Sequence, residues 1–276
     1  MIQTTFTLQP RPGDVITGDV RMPEGPPPES AVVVIHGFKG FKDWGFFPFA
    51  CERLAAGGHA VVSFNMSHNG VGSDPLEFTE LERFGANTLS MELEEVLQVV
   101  DEVIGGDLLP RRPGRVGVLG HSRGGGQAIL AAASDSRINA VATWAAVSHF
   151  DRWTDETKQE WRTHGRIWIV NARTGQQMPL DVGLLDDLEA NRTRLDIPEA
   201  ARRVDVPWLI VHGRDDLTVA PDEGRALSDL APQGHLVLVD GAGHTFEARH
   251  PFDESTAQLE AALTATLAHF ATNLGA

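Results

Sequence analysis

Six stretches of this chain, at 31–35, 59–64, 116–119, 138–147, 208–211 and 236–239, are apolar almost without a break. Strands that read this way are covered on both faces, as in a mostly parallel sheet packed between helices. Residues 3–9 and 15–22 instead alternate polar and apolar and are separated by Pro10, Pro12 and Gly13, the pattern of an antiparallel pair at a sheet edge. A Pro-rich connector follows at 23–28. Between the apolar runs the periodicity changes to that of helices, at 47–56, 88–104, 124–133, 223–230 and 255–274. In the second of these, Leu89, Leu93, Val96, Leu97, Val100 and Ile104 share one face and acidic residues take the other. Gly57-Gly58 and Gly105-Gly106 stand where helix C-caps are expected. The alternation predicts a single α/β domain over 1–276, with a mostly parallel, doubly wound sheet flanked by helices.

The alternation breaks once, over 148–203. Residues 166–171 and 176–180 flank Ala172-Arg173-Thr174-Gly175 and predict a β-hairpin, followed by short helices at 184–192 and 197–203. An insertion here in a doubly wound sheet lies over the carboxyl ends of the strands, where ligands bind. It is expected to be a small cap over a pocket; the alternatives are a surface decoration or a dimerisation arm.

Between the run 116–119 and the helix that begins near Gly124 lies Gly120-His121-Ser122-Arg123-Gly124. Strand, G-x-S-x-G and helix in succession form a nucleophile elbow, a turn sharp enough to hold a serine in a strained conformation with its hydroxyl exposed. The helix N-terminus beneath it favours negative charge. A phosphate-cradling loop would show Gly-Lys-Ser/Thr or G-x-G-x-x-G at the helix start, and neither is present.

Composition narrows the field. The 276 residues are 42% hydrophobic and carry a formal charge of −15, with the acids spread along the chain. That argues against nucleic acid and anionic membranes as partners. Cys51 is the one cysteine and reads as a buried helical thiol. No His/Cys/Asp/Glu spacing groups metal ligands. Neither a signal-peptide pattern at the start nor a run of transmembrane length is found, so a cytoplasmic location is expected.

A serine hydroxyl needs a base within reach and an acid to orient that base. Two loops after later strands offer candidates: His212-Gly213-Arg214-Asp215-Asp216-Leu217-Thr218-Val219 and Asp240-Gly241-Ala242-Gly243-His244-Thr245-Phe246. With these residues the chain resembles the α/β-hydrolase superfamily over its whole length, nearest to the dienelactone-hydrolase and prolyl-oligopeptidase-like branch. His212, Gly213, Asp216 and Val219 match that branch's His-Gly-x-x-Asp-x-x-Val pattern, and Gly241, Gly243 and His244 match Gly-x-Gly-His. The inserted hairpin and helices resemble the cap of bacterial cinnamoyl and feruloyl esterases.

The resemblance implies a catalytic triad of Ser122, Asp216 and His244, with Asp215 as the alternative acid. It also places an oxyanion hole at the backbone N–H groups of Phe38, in Ile35-His36-Gly37-Phe38-Lys39-Gly40, and of Arg123. His36 precedes the donor and is expected to fix the loop. Phe41 and Trp44, beside Phe38, are expected to line an apolar substrate pocket, with His68 and His149 at its mouth. Lys39 and Lys42 are expected to be solvated near the rim, with an acidic substrate group as the alternative. Of the remaining histidines, His59, His235, His250 and His269 read as structural.

The function implied is a cofactor-independent serine hydrolase that cleaves carboxylic esters of small molecules through an acyl-enzyme. An acyl-thioesterase or small peptidase on the same triad is the alternative, since fold does not choose substrate. From a different class comes a ligand-binding protein on a hydrolase scaffold; its mark would be a missing triad member, and none is missing here. A homodimer is left open.

Overall fold

The computed structural model describes residues 1–275. Its strands are β1 (Ile2–Leu8), β2 (Ile16–Met22), β3 (Ser30–Ile35), β4 (Ala60–Asn65), β5 (Arg115–His121), β6 (Ile138–Trp144), β7 (Arg166–Val170), β8 (Gln177–Asp181), β9 (Trp208–Gly213) and β10 (Gly234–Val239). The helices are α1 (Phe47–Ala56), α2 (Leu81–Gly85), α3 (Leu89–Gly105), α4 (Arg123–Ser134), α5 (Asp155–His164), α6 (Val182–Ala190), α7 (Ile197–Arg203), α8 (Pro221–Leu230) and α9 (Ala257–Leu274). Eight strands form one sheet in the order β1-β2-β4-β3-β5-β6-β9-β10. The β1–β2 and β2–β4 pairs are antiparallel, and the others are parallel.

Every residue of β3 and β4 is buried, which is why these strands read as continuous apolar runs. Side chains alternate across the sheet. Val33 and Ile35 join the core with α3, α4, α7 and α8, while Val32 and Val34 join the opposite one with α1 and α9. The edge pair, the parallel core and the hairpin β7–β8, paired Ile169 to Met178, all form as expected. The run at 138–147 is longer than its strand because the chain leaves the sheet at Ala145, whose φ is 47°.

Two helices lie outside the expected set. α5 spans Asp155–His164, DETKQEWRTH, and buries Trp161 alone, so it carries no apolar stripe for periodicity to reveal. Thr154 caps it by accepting from the N–H of Thr157, and Trp161 donates its indole N–H to the carbonyl of Leu180 at 2.8 Å. α2 is a single short turn of helix. Segment 148–203 does not stand apart: Trp161, Met178, Leu180, Leu184 and Leu185 pack with Phe78, Phe84 and α1 in one buried cluster. Among the described residues no helix is long and apolar enough to cross a membrane.

α9 is fastened to the sheet by a buried polar contact. The Trp144 indole at the end of β6 donates to Thr266 Oγ1 at 2.9 Å, and both groups are buried. Thr266→Val keeps the shape and removes the acceptor, so it is expected to lower the unfolding free energy by about 1–3 kcal/mol. Urea denaturation with an unchanged m-value measures this, and wild-type stability in the variant would contradict it.

Candidate active site

Ser122 sits at the junction of β5 and α4 with φ 57° and ψ −120°, outside the regions ordinary residues prefer. Its N–H donates to the carbonyl of Trp144, and its own carbonyl accepts from the N–H groups of Gly125 and Val147. Close packing requires the flanking glycines. A Cβ on Gly120 would lie 2.2 Å from the carbonyl oxygen of Gly124, and one on Gly124 would lie 2.3 Å from that of His36. The β3 loop therefore passes directly over the start of α4.

Three side chains from separate loops form a hydrogen-bonded line. His244 Nε2 lies 3.0 Å from Ser122 Oγ, and His244 Nδ1 lies 2.8 Å from Asp216 Oδ2. A carboxylate only accepts, so Nδ1 carries the hydrogen and Nε2 offers its lone pair to the hydroxyl. Asp216 Oδ1 accepts from the N–H groups of Thr218 and Val219 at 2.8 and 2.9 Å. Burial opposes ionisation of Asp216, but its contacts with His212 and His244 and the bond from Val219 outweigh that and hold the carboxyl below its usual range. Asp215, the alternative acid, is exposed, and its N–H is bonded to the Ala242 carbonyl. A line of this kind can move the serine proton onto the imidazole while the carboxylate fixes its tautomer.

The backbone N–H of Arg123 is the first of α4 and has no partner inside the helix. Among the described residues the N–H of Phe38 has no acceptor either. The loop that carries Phe38 meets the serine closely, since a Cβ on Gly37 would lie 3.0 Å from Ser122 Cβ. The side chains behind these two N–H groups stack on each other. The Arg123 guanidinium lies 3.8 Å from the Phe38 ring centre, and Phe84 stacks on Phe38 at 5.6 Å. Arg123 is held by Glu92, which also accepts from Asn87 and Gln127 at 2.6 and 2.9 Å. Glu92 was expected on the solvated face of its helix and is instead 4% exposed. Two of its three partners, Arg123 and Gln127, are remote in sequence, so the local pattern does not report them.

His121, beside the serine, carries no role in the sequence reading. It is buried, its ring lies tilted at 50° to that of His244 with centres 4.8 Å apart, and its Nε2–H donates to the His244 carbonyl at 2.9 Å. Burial, and next the neighbouring His244, push its pKa down to about 3. His36 fixes its loop as expected: Nδ1–H donates to the Gly37 carbonyl and Nε2 accepts from Met66 N–H.

Ser122, His121 and His244 open onto a cavity of about 340 Å³ that Phe38, Trp44 and Phe47 line with apolar surface and Lys39, Asn171 and Arg173 with polar groups. Of the four residues expected to contact substrate, Trp44 alone faces it. Phe41 is turned into the core against Phe78 and His250 and borders a neighbouring cavity. His68 lies on the far side of the Phe38 loop, bonded to Ser67 and close to Asp14. His149 is exposed at a third cavity beside Glu223, because the chain turns away from the serine after Val147. Lys42 bridges Asp19 and Asp43.

The profile of the alpha/beta hydrolase family matches residues 32–262. The chain belongs to the alpha/beta hydrolase family. This hydrolase is 27% identical over 224 residues to 2,6-dihydropseudooxynicotine hydrolase of Paenarthrobacter nicotinovorans, covering 80% of this chain and 53% of that protein. It thus spans about half the length of that relative. The structure of Est1E from Butyrivibrio proteoclasticus with ferulic acid bound aligns with a TM-score of 0.73 at 22% identity, over 98% of this chain and 100% of that one. A dienelactone hydrolase from Anabaena variabilis aligns with a TM-score of 0.64 at 17% identity, over 99% of both chains. At these identities the two structures establish a shared fold.

The burial of His121 makes a prediction about acid stability. Above the ordinary value of 6.5 the imidazole is neutral in folded and unfolded states alike and its titration contributes nothing. Below it the unfolded chain takes up a proton that the folded chain refuses down to about 3, so stability falls as pH falls. The slope from this one group approaches about 1.4 kcal/mol per pH unit. Unfolding free energies measured from pH 7 to pH 4 should fall less steeply for His121→Gln than for the wild type; parallel profiles would refute the assignment.

Proposed function

We propose that this hydrolase cleaves carboxylic esters of small molecules through an acyl-enzyme on Ser122. His244 takes the hydroxyl proton as Oγ attacks the ester carbonyl, and Asp216 stabilises the imidazolium that results. The N–H groups of Phe38 and Arg123 receive the oxyanion, charge that develops only as the tetrahedral intermediate forms. His244 then returns the proton to the leaving alcohol. Water, deprotonated by the same imidazole, attacks the acyl carbonyl and frees the acid. No step calls for a cofactor. Segment 148–203 serves as a cap, contributing Asn171, Ala172 and Arg173 to the wall of the cavity.

The observation that carries this reading is the unbroken line from Asp216 through His244 to a strained, cavity-facing Ser122, with two backbone donors left unpaired beside it. A protein that only bound a ligand on this scaffold would have no need for all five groups. Ser122→Ala and His244→Ala are each expected to reduce kcat for p-nitrophenyl acetate by a factor on the order of 10⁴ to 10⁶. Asp216→Asn should lose about 10⁴ by leaving the imidazole in the wrong tautomer. Wild-type turnover in either alanine variant, or failure of the wild type to label with a fluorophosphonate, would overturn the reading.

A further inference from the structure

The chain carries 38 acidic and 23 basic side chains, yet no Asp or Glu is among the residues lining the cavity over Ser122. Lys39, Asn171 and Arg173 line the same cavity as the serine and offer it donors. Lys39 Nζ donates to the Val170 carbonyl at 3.2 Å, and the Arg173 guanidinium donates to the Lys39 carbonyl at 2.8 Å. Among the described residues neither cation has a carboxylate partner, whereas two cations close by are paired: Arg123 with Glu92, and Lys42 with Asp19 and Asp43. Burial, and next the positive neighbours Arg173 and Arg123, hold the Lys39 ammonium below its ordinary value.

Two donors beside these cations lack acceptors. Asn171 is 2% exposed, and its Oδ1 accepts from the N–H of Arg173, which fixes the orientation of the amide. Its Nδ2 then has no partner among the described residues. The indole N–H of buried Trp44 has none either, and the Arg173 guanidinium lies 4.9 Å from that ring's centre. Buried polar groups are rarely left unpaired without reason. Two cations without a carboxylate and two neighbouring buried donors without an acceptor describe a place for a negatively charged oxygen group.

Building on the esterase reading, we propose that the preferred substrate is an ester bearing a second, free carboxylate, which Lys39 and Arg173 receive while the ester carbonyl reaches Ser122. The cavity volume of about 340 Å³ and its walls of Phe38, Trp44 and Phe47 suit a single aryl ring or a short alkyl chain between the two groups. Lys39 follows the oxyanion donor directly, and Arg173 sits on the turn of the hairpin, so each cation comes from a different wall of the cleft.

The test uses two pairs of ligands that differ only in charge. 4-Acetoxybenzoate and 4-acetoxybenzamide place the carboxylate on the leaving group; monomethyl terephthalate and methyl 4-carbamoylbenzoate place it on the acyl side. Calorimetry on full-length Ser122→Ala is expected to show, in at least one pair, the carboxylate binding about tenfold or more tighter than the amide. Adding Lys39→Gln or Arg173→Gln should bring that ratio towards one, and raising the salt concentration should reduce it. Equal or weaker binding of the carboxylate in both pairs, or a preference untouched by either substitution, would overturn the proposal. Turnover by the wild type is read separately. A carboxylate preference in binding with no hydrolysis of any of the four esters would stand against the esterase reading alone.

Discussion

Ser122 is held at φ 57° by the crossing of β5, α4 and the loop after β3, and most of the site follows from how that crossing is packed. A non-glycine residue in such a conformation costs about 1–3 kcal/mol and persists only where its surroundings over-determine it. Here they do so with bonds from both sides of the serine: its N–H to Trp144, its carbonyl to Gly125 and Val147. Gly120 and Gly124 let helix and strand meet at a distance that any Cβ would forbid. Because α4 begins directly under the His36 carbonyl, the loop that carries Phe38 is packed close over Ser122, where a Cβ on Gly37 would lie 3.0 Å from the serine Cβ. The strain at Ser122 and the closeness of that loop thus follow from the same packing.

Around that crossing, several buried histidines are committed to holding the backbone. His121 and His36 are buried, shifted well below the ordinary histidine range and committed as donors to carbonyls, so they hold loops and stay neutral. His212 donates to the Val219 carbonyl from behind Asp216 and helps keep that carboxylate in place. On the opposite side Glu92 neutralises Arg123, and the Arg123–Phe38–Phe84 stack ties the two proposed oxyanion donors to one rigid unit. A cation on an aromatic face is worth about 2 kcal/mol when desolvated, enough to limit drift in a loop whose backbone must stay unpaired.

The sheet was legible because burial on both faces leaves a local trace: each parallel strand is an apolar run and each large helix a stripe. G-x-S-x-G, Asp216 and His244 were legible for a similar reason, since turn chemistry demands glycines at fixed offsets and Asp216 and His244 each stand within a few residues of the end of β9 or β10. What escaped was non-local. α5 shows the sequence of a solvated segment because one tryptophan does all its burying. Glu92 looked like surface charge because its partners stand 5, 31 and 35 residues further on or back along the chain. Phe41, His68 and His149 are near the serine in connectivity, but a residue's side of a loop depends on that loop's path, which no spacing records.

The placement of Arg173 shows why such a loop can nonetheless present a well-defined group. A hairpin tip is ordinarily among the more mobile parts of a fold. This one is braced at its base, where Met178 and Leu180 are buried with Trp161, Leu184 and Leu185, and where Arg166 is paired with Glu82 and Asp181. It is braced again at the tip, where Lys39 and Arg173 exchange bonds with the facing backbone and Gln176 donates to the Phe78 carbonyl. Those bonds run between the two walls of the cleft. The same pair of cations that is proposed to receive a substrate carboxylate therefore also joins the hairpin to the Phe38 loop. An anion arriving between them would relieve the repulsion that this joint otherwise carries, so filling the site and tightening its walls would be a single event.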